Sequence, residues 1–426
     1  MRFLLPSLLA LTACGDKDPI DSADTSPDTQ PTTETAETGD TAPACALPTV
    51  SASYALPWAA STPYGGYSAA ATPGRALITD PLSGIVYGIP WGSAGVIEVV
   101  ADLQVEGMPY SPDRLWSLGE WTYIADSARV DWRTGDMTGG GFLMNTPYLD
   151  TLTGVVLAEH VYDYTLTGAH ADGYAGALAV YDADGDGLDD LVAATGPIPA
   201  ELVVFTDLST HASELLWNDA ALSLEICPAA DRVIYGPVDA ARFGDGYLAV
   251  GCPGSGYRGG EVRVLPETIG SGSDPLFTVS GVAGWYVHGE PGGAVYADAR
   301  GDTGMTTIWG DGTSEGIALA DGASGSWWGA SPVTWTVGEC SYLAVGEPTA
   351  LTKGDETGAV WVAVLGDDGR PGEWATLDLP SAGEGYDLRW IGSVIVVSPD
   401  GAHLFATGWQ KGGGAGGGAA SFDLVY

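Results

Sequence analysis

The sequence predicts an all-β fold, a seven-bladed β-propeller, on three observations. No long segment keeps the 3.6-residue apolar period of an amphipathic helix; from residue 47 to 426 short apolar runs are broken by Gly, Pro, Asp and Ser. The composition is that of a turn-rich sheet protein, with 63 Gly, 15 Trp and 19 Tyr. One unit also recurs: a short β-run, a loop of small residues, then a second β-run. Seven copies spaced by roughly 55 residues leave room for a four-stranded sheet each, and seven sheets arranged radially make a propeller. A chain of this length buries a core large enough to fold without metal or disulfides.

Residues 1–13 read as a signal segment that is not part of the fold. They carry one basic residue, a short apolar run and small residues before Cys14, too short to span a bilayer as a mature helix. Leu11-Thr-Ala-Cys14 resembles a bacterial lipobox, which implies lipidation of Cys14 and its use as the new N-terminus. Gly15 follows, not the aspartate that favours inner-membrane retention, so the expectation is a lipoprotein of the cell envelope carried to the outer membrane. Residues 14–46 are expected to be a disordered tether. They are rich in Thr, Asp, Glu and Pro and bury too little apolar surface to offset the entropy of ordering.

The copies follow in order. The first is Arg75-Ala-Leu-Ile-Thr-Asp80 with Gly84-Ile-Val-Tyr-Gly88, and the second Glu120-Trp-Thr-Tyr-Ile-Ala-Asp126 with Gly139-Gly-Gly-Phe-Leu-Met144. The third is Asp190-Leu-Val-Ala-Ala-Thr-Gly196 with Glu201-Leu-Val-Val-Phe205. The fourth is Gly246-Tyr-Leu-Ala-Val-Gly-Cys-Pro253 with Gly259-Gly-Glu-Val-Arg-Val264. A weaker fifth places Thr306-Thr-Ile-Trp-Gly-Asp311 before Gly316-Ile-Ala-Leu-Ala320. The sixth, Ser341-Tyr-Leu-Ala-Val-Gly-Glu-Pro348 with Gly358-Ala-Val-Trp-Val-Ala363, closely repeats the fourth. The seventh is His403-Leu-Phe-Ala-Thr-Gly408 with Gly418-Ala-Ala-Ser-Phe-Asp-Leu424.

Ahead of the third copy stands Tyr181-Asp-Ala-Asp-Gly-Asp-Gly-Leu-Asp-Asp190. Carboxylates this close repel unless a cation sits among them, and Ca²⁺ takes carboxylate and carbonyl oxygens at flexible coordination numbers. The expected ligands are the side chains of Asp182, Asp184, Asp186 and Asp190 and the carbonyl of Leu188, with Gly185 and Gly187 supplying backbone at φ > 0. An EF-hand fails on two counts. Its twelfth loop position, a bidentate Glu, is Ala193 here, and the flanking apolar runs are too short for helices. The reading is one structural Ca²⁺ between two short strands.

Phe243-Gly244, Leu248-Ala-Val-Gly-Cys-Pro253 and Gly259-Gly-Glu-Val-Arg-Val264 resemble the FG-GAP repeat of the integrin alpha-subunit propeller. The D-x-D-G-D-G-x-x-D-L run resembles the calcium loop of that family. The resemblance covers most of the region from Pro48 as a pattern, and copies three, four and six are close. It implies a monomeric, non-catalytic, adhesion-type binding protein whose loops on one face contact a protein or glycan.

The other copies offer no second ion site. Asp298-Ala-Arg-Gly-Asp302 keeps two ligand positions, but Arg300 supplies a charge where the ion would sit. Elsewhere the turns are short D-G or P-G turns.

Catalytic motifs fare no better. Gly312-Thr-Ser314-Glu-Gly316 matches G-x-S-x-G, but a nucleophile elbow needs a strand before and a helix after, and here it is a glycine loop between strands. The five histidines are scattered, and no P-loop or dinucleotide fingerprint occurs. A propeller hydrolase or lyase acting on polysaccharide or phosphoester at the channel mouth is the alternative. A net charge of −40 has the wrong sign for nucleic acid and for an anionic membrane face, leaving the lipid as anchor.

Trp327, Trp328, Trp335, Trp361, Trp390 and Trp409 fit either sugar stacking or packing between blades, and packing is preferred because large aromatics dominate core energetics. Four cysteines besides Cys14 allow three pairings in an exported protein. Cys227 with Cys252 is chosen because both lie near the first strands of copy four, leaving Cys45 with Cys340.

Overall fold

The computed structural model describes residues 45–56, 68–80, 84–93, 98–102, 104–105, 108–109, 112–126, 140–152, 154, 162–167, 176–194, 200–216, 219–227, 239–244, 246–254, 260–282, 284–290, 293–298, 304–317, 323, 328–350, 357–380, 391–408 and 418–426. Cys14 and the signal and most of the tether lie outside them, as do residues 299–303 and Trp327, Trp390 and Trp409.

The described strands form seven main sheets, six of four strands and one of five, together with a two-stranded hairpin. Neighbouring strands of the main sheets pair antiparallel, as in Ala177↔Ala193 and Val192↔Val204 of blade three, except that the fifth strand of blade two, Glu214–Leu216, pairs in parallel with Tyr164–Thr167. The first strand of every sheet contacts the first strands of both neighbours, and the seventh returns to the first. This closed sevenfold ring defines a β-propeller.

Ring closure uses a strand the repeat search leaves out. Thr49–Leu56 pairs antiparallel with Ala419–Val425 and completes the last blade, so one sheet joins both ends of the ring. Two disulfides lock the ring: Cys45 to Cys340 ties the segment before this strand to blade six, and Cys227 to Cys252 joins the last strand of blade three to the second of blade four.

The fifth copy needs correction. Its second and third strands are Ala294–Asp298 and Met305–Trp309, one strand earlier than the repeat reading places them, and Ser314–Ile317 is the outermost strand. The error arises because Thr306-Thr-Ile-Trp, in the third strand, carries a stronger β signal than the second strand Ala294-Val-Tyr-Ala-Asp298. The segment from Asp298 to Asp302 therefore joins the second and third strands and is not the equivalent of the blade-three acidic loop. Ser314 opens the strand Ser314–Ile317, whereas a nucleophile elbow places its serine after a strand and before a helix.

The core lies between blades. Val192 and Val204 of blade three pack with Leu248 and Val250 of blade four, and Val362 of blade six with Ile395 and Phe422 of blade seven. Trp328, Trp335 and Trp361 are buried in this layer. The repeated L-A-V-G signature has a steric cause. A Cβ on Gly251 would lie 2.3 Å from the Gly284 carbonyl oxygen, and one on Gly346 would meet the backbone of Gly392, so only glycine admits the next blade's chain.

Candidate metal centre

The strands Gly176–Tyr181 and Asp190–Ala194 end at the acidic loop, and their hydrogen-bonded register brings Tyr181 opposite Asp190. The loop is folded by its own carboxylates. Asp182 Oδ1 accepts from the N–H groups of Gly185 (2.7 Å) and Asp186 (3.0 Å), and its Oδ2 from Gly187 (2.9 Å). Asp186 Oδ1 accepts from Leu188 N–H (2.8 Å). Gly185 and Gly187 take φ of 87° and 93°, backbone that a side chain would strain.

Asp190 is fully buried and sits at the centre. Its Oδ2 accepts from Ala183 N–H (2.8 Å) and Asp184 N–H (3.1 Å), while its Oδ1 accepts from Asp207 N–H (2.8 Å). Burial raises its pKa, and the three N–H donors oppose that shift. One oxygen each from Asp182, Asp184 and Asp190 lie within 4.8 Å of one another. Such a cluster, all oxygen and graded from exposed to buried, fits a hard cation. Asp186 lies outside this trio and faces Asp207; Leu188 is exposed.

Asp207 is the residue that sequence reasoning misses. It follows the third strand of blade three, Ala200–Phe205, and holds left-handed backbone at φ 54°. Desolvation raises its pKa, reinforced by Asp186, Asp184 and Asp190, and its Oδ1 is buried without a hydrogen-bond partner. The next residue, Leu208, donates its N–H to the Asp189 carbonyl (2.8 Å). A Thr-Asp pair after a strand is an ordinary turn signal, and nothing in its spacing ties it to the acidic run.

Blade four anchors the loop on its other side. Ile269 N–H donates to the Ala183 carbonyl (2.6 Å), and Tyr181 O–H donates to the Glu267 carbonyl (2.9 Å) with the Arg242 guanidinium 4.7 Å from its ring centre. Burial raises the Tyr181 phenol well above its usual range, so it stays a neutral donor.

Together the ring and the loop define a β-propeller with one carboxylate cluster among the described residues that has a metal-ligand arrangement. No protein-family model and no curated protein matches the chain. The FG-GAP likeness therefore rests on the residues quoted above.

Among solved structures the chain is similar to a streptogramin B lyase, at 10% identity over 88% of this chain and 98% of that one, TM-score 0.45. It is similar to hydrazine synthase of Kuenenia stuttgartiensis, at 11% identity over 82% and 94%, TM-score 0.45. A virginiamycin B lyase from Staphylococcus aureus gives 10% identity over 88% and 99%, TM-score 0.47. Overlap this loose transfers no residue role to this chain.

Proposed function

We propose that the protein is a lipid-anchored propeller of the bacterial cell envelope that binds a protein or glycan through loops on one face. In this reading the acidic loop holds one structural Ca²⁺. The observation that carries it is the position of the D-x-D-G-D-G-x-x-D run. It lies between the first and second strands of a blade, where the FG-GAP resemblance expects a calcium loop. Three carboxylates drawn within 4.8 Å support a cation there, and the all-oxygen donor set favours Ca²⁺ over softer metals. A bound ion would cancel carboxylate repulsion and stiffen the hairpin; the Asp190 carboxylate, committed to three backbone N–H groups, is placed to shape a loop.

Two experiments test this reading. A glycan array and a broad hydrolase and lyase screen of the full chain separate binding from turnover. Saturable binding without turnover is the expected result, whereas turnover abolished by substituting channel-mouth carboxylates overturns it. For the anchor, Cys14→Ser should move the protein from the membrane fraction to the soluble one; persistence in the membrane fraction contradicts lipidation at Cys14.

A further inference from the structure

Blade seven closes without a turn. In blades four, five and six a short connection joins the third strand to the outermost one, over residues 267–276, 310–313 and 366–370. The outermost strand of blade seven, Thr49–Leu56, instead pairs with Ala419–Val425 from the far end of the chain and has no other sheet neighbour. Its entry end is held by the Cys45–Cys340 bond just upstream. Cys340 opens the second strand of blade six, Cys340–Glu347, and pairs with Val337 of the first. Between bond and strand, Tyr342 O–H donates to the Ala46 carbonyl at 3.2 Å, and Pro48 is buried. The disulfide thus takes the place of the missing turn.

The two disulfides meet solvent differently. Cys45 is exposed and Cys340 half-buried, whereas Cys227 and Cys252 are both fully buried. Thiol–disulfide exchange requires a thiolate to reach a sulfur, so access decides which bond reacts first. We propose that Cys45–Cys340 is a redox latch on ring closure, opened by an external dithiol while Cys227–Cys252 stays intact. One thiolate of the donor bonds to the Cys45 sulfur, the S–S bond breaks, and Cys340 leaves and takes up a proton. The donor's second thiol then displaces Cys45, which also ends as a thiol. Two electrons and two protons pass to the cysteine pair, and the dithiol becomes a disulfide. Opening the latch leaves Thr49–Leu56 an edge strand free at its entry end, able to fray from Ala419–Val425. Fraying bares the ladder groups of Ala419–Val425, the edge on which closure depends. Redox state then sets whether the ring is closed by sheet and bond or by sheet alone. The proposal needs neither a metal at the acidic loop nor a lipid at Cys14.

The test treats the full chain with graded dithiothreitol under native conditions, traps free thiols by alkylation and maps them by mass spectrometry. Hydrogen exchange is then followed on the chain reduced at one bond. Cys45 and Cys340 should be alkylated about a hundredfold faster than Cys227 and Cys252, or more. Residues 49–56 and 419–425 should then exchange about tenfold faster or more, while Tyr247–Cys252 of blade four keeps its protection on that timescale. Cys45→Ser combined with Cys340→Ser should show the same exchange pattern without reductant and no further change with it. The native-chain arms stand by themselves if that variant fails to fold. Equal alkylation rates at the two pairs, or no reduction of either under native conditions, overturn the proposal. Selective reduction with unchanged exchange at 49–56 overturns the latch as well.

Discussion

Replacing both Cys45 and Cys340 by serine opens the covalent closure of the ring without leaving a lone thiol. The two cysteines are 295 residues apart in sequence. The chain-entropy relation for a loop of that length gives about 5.7 kcal/mol of stabilisation at 25 °C, against about 3.5 kcal/mol for Cys227 and Cys252 at a separation of 25. With unfolding entropy near 2.1 cal/mol/K per residue over a ring of roughly 380 residues, the larger figure corresponds to a fall in melting temperature of about 7 °C. Calorimetry and urea unfolding of the double variant provide the assay. The antiparallel pairing of Thr49–Leu56 with Ala419–Val425 remains, so the native sheet should persist and the change should come from the freed unfolded chain. A loss below about 1 kcal/mol, or a smaller loss than that of the Cys227→Ser, Cys252→Ser pair, refutes the reasoning.

Two further perturbations act on polar groups packed between strands. Burial lowers His288 to about 4, and its Nε2 meets Thr334 Oγ1 at 3.0 Å. Above pH 6.5 the ring is neutral in both states. Between 6.5 and about 4 the unfolded chain takes a proton that the folded chain refuses, so stability falls by at most about 3 kcal/mol and then levels off. Urea unfolding at pH 7 and 4.5 should show that slope, and His288→Gln should flatten it; an unchanged slope contradicts the assignment. The Trp361 indole N–H donates to the buried Glu347 carboxylate at 3.0 Å. Trp361→Phe should cost about 1.5–3 kcal/mol as a lower urea midpoint, since it removes a hydrogen bond to a charged group as well as packing; a loss under about 0.5 kcal/mol argues against it.

Much of this fold can be read from short-range signals. The second strands of six blades announce themselves because they are largely buried on both faces and read as continuous apolar runs, as in Leu248-Ala-Val and Leu343-Ala-Val, whereas a third strand such as Gly260–Pro266 alternates buried with half-buried residues. The glycines after them are fixed by the backbone of the neighbouring blade. Outer strands carry weaker patterns, and Thr49–Leu56 finds its partner at the opposite end of the chain, so no local signal announces the closure. Blade five slipped by one strand because Thr306-Thr-Ile-Trp, in its third strand, carries a stronger β signal than its second strand, Ala294–Asp298. The acidic loop is legible because D-x-D-G-D-G folds on itself, each Asp accepting from N–H groups two to five residues ahead. Asp207 is not, because its place beside the loop comes from the pairing of Leu191 with Phe205 across the sheet, which no spacing along the chain encodes.

The most direct test of the account compares thermal unfolding of the native chain and Asp184→Ala in CaCl₂ and in EGTA. At a free Ca²⁺ concentration a hundredfold above the dissociation constant, binding to the folded state alone adds about 2.7 kcal/mol. For a ring of this size that corresponds to a rise of about 3 °C. The native chain should show that rise on going from EGTA to CaCl₂, and Asp184→Ala should show none while melting close to the native chain in EGTA. Equal losses in both media, or a native chain indifferent to Ca²⁺, would contradict a cation at the Asp182–Asp184–Asp190 cluster.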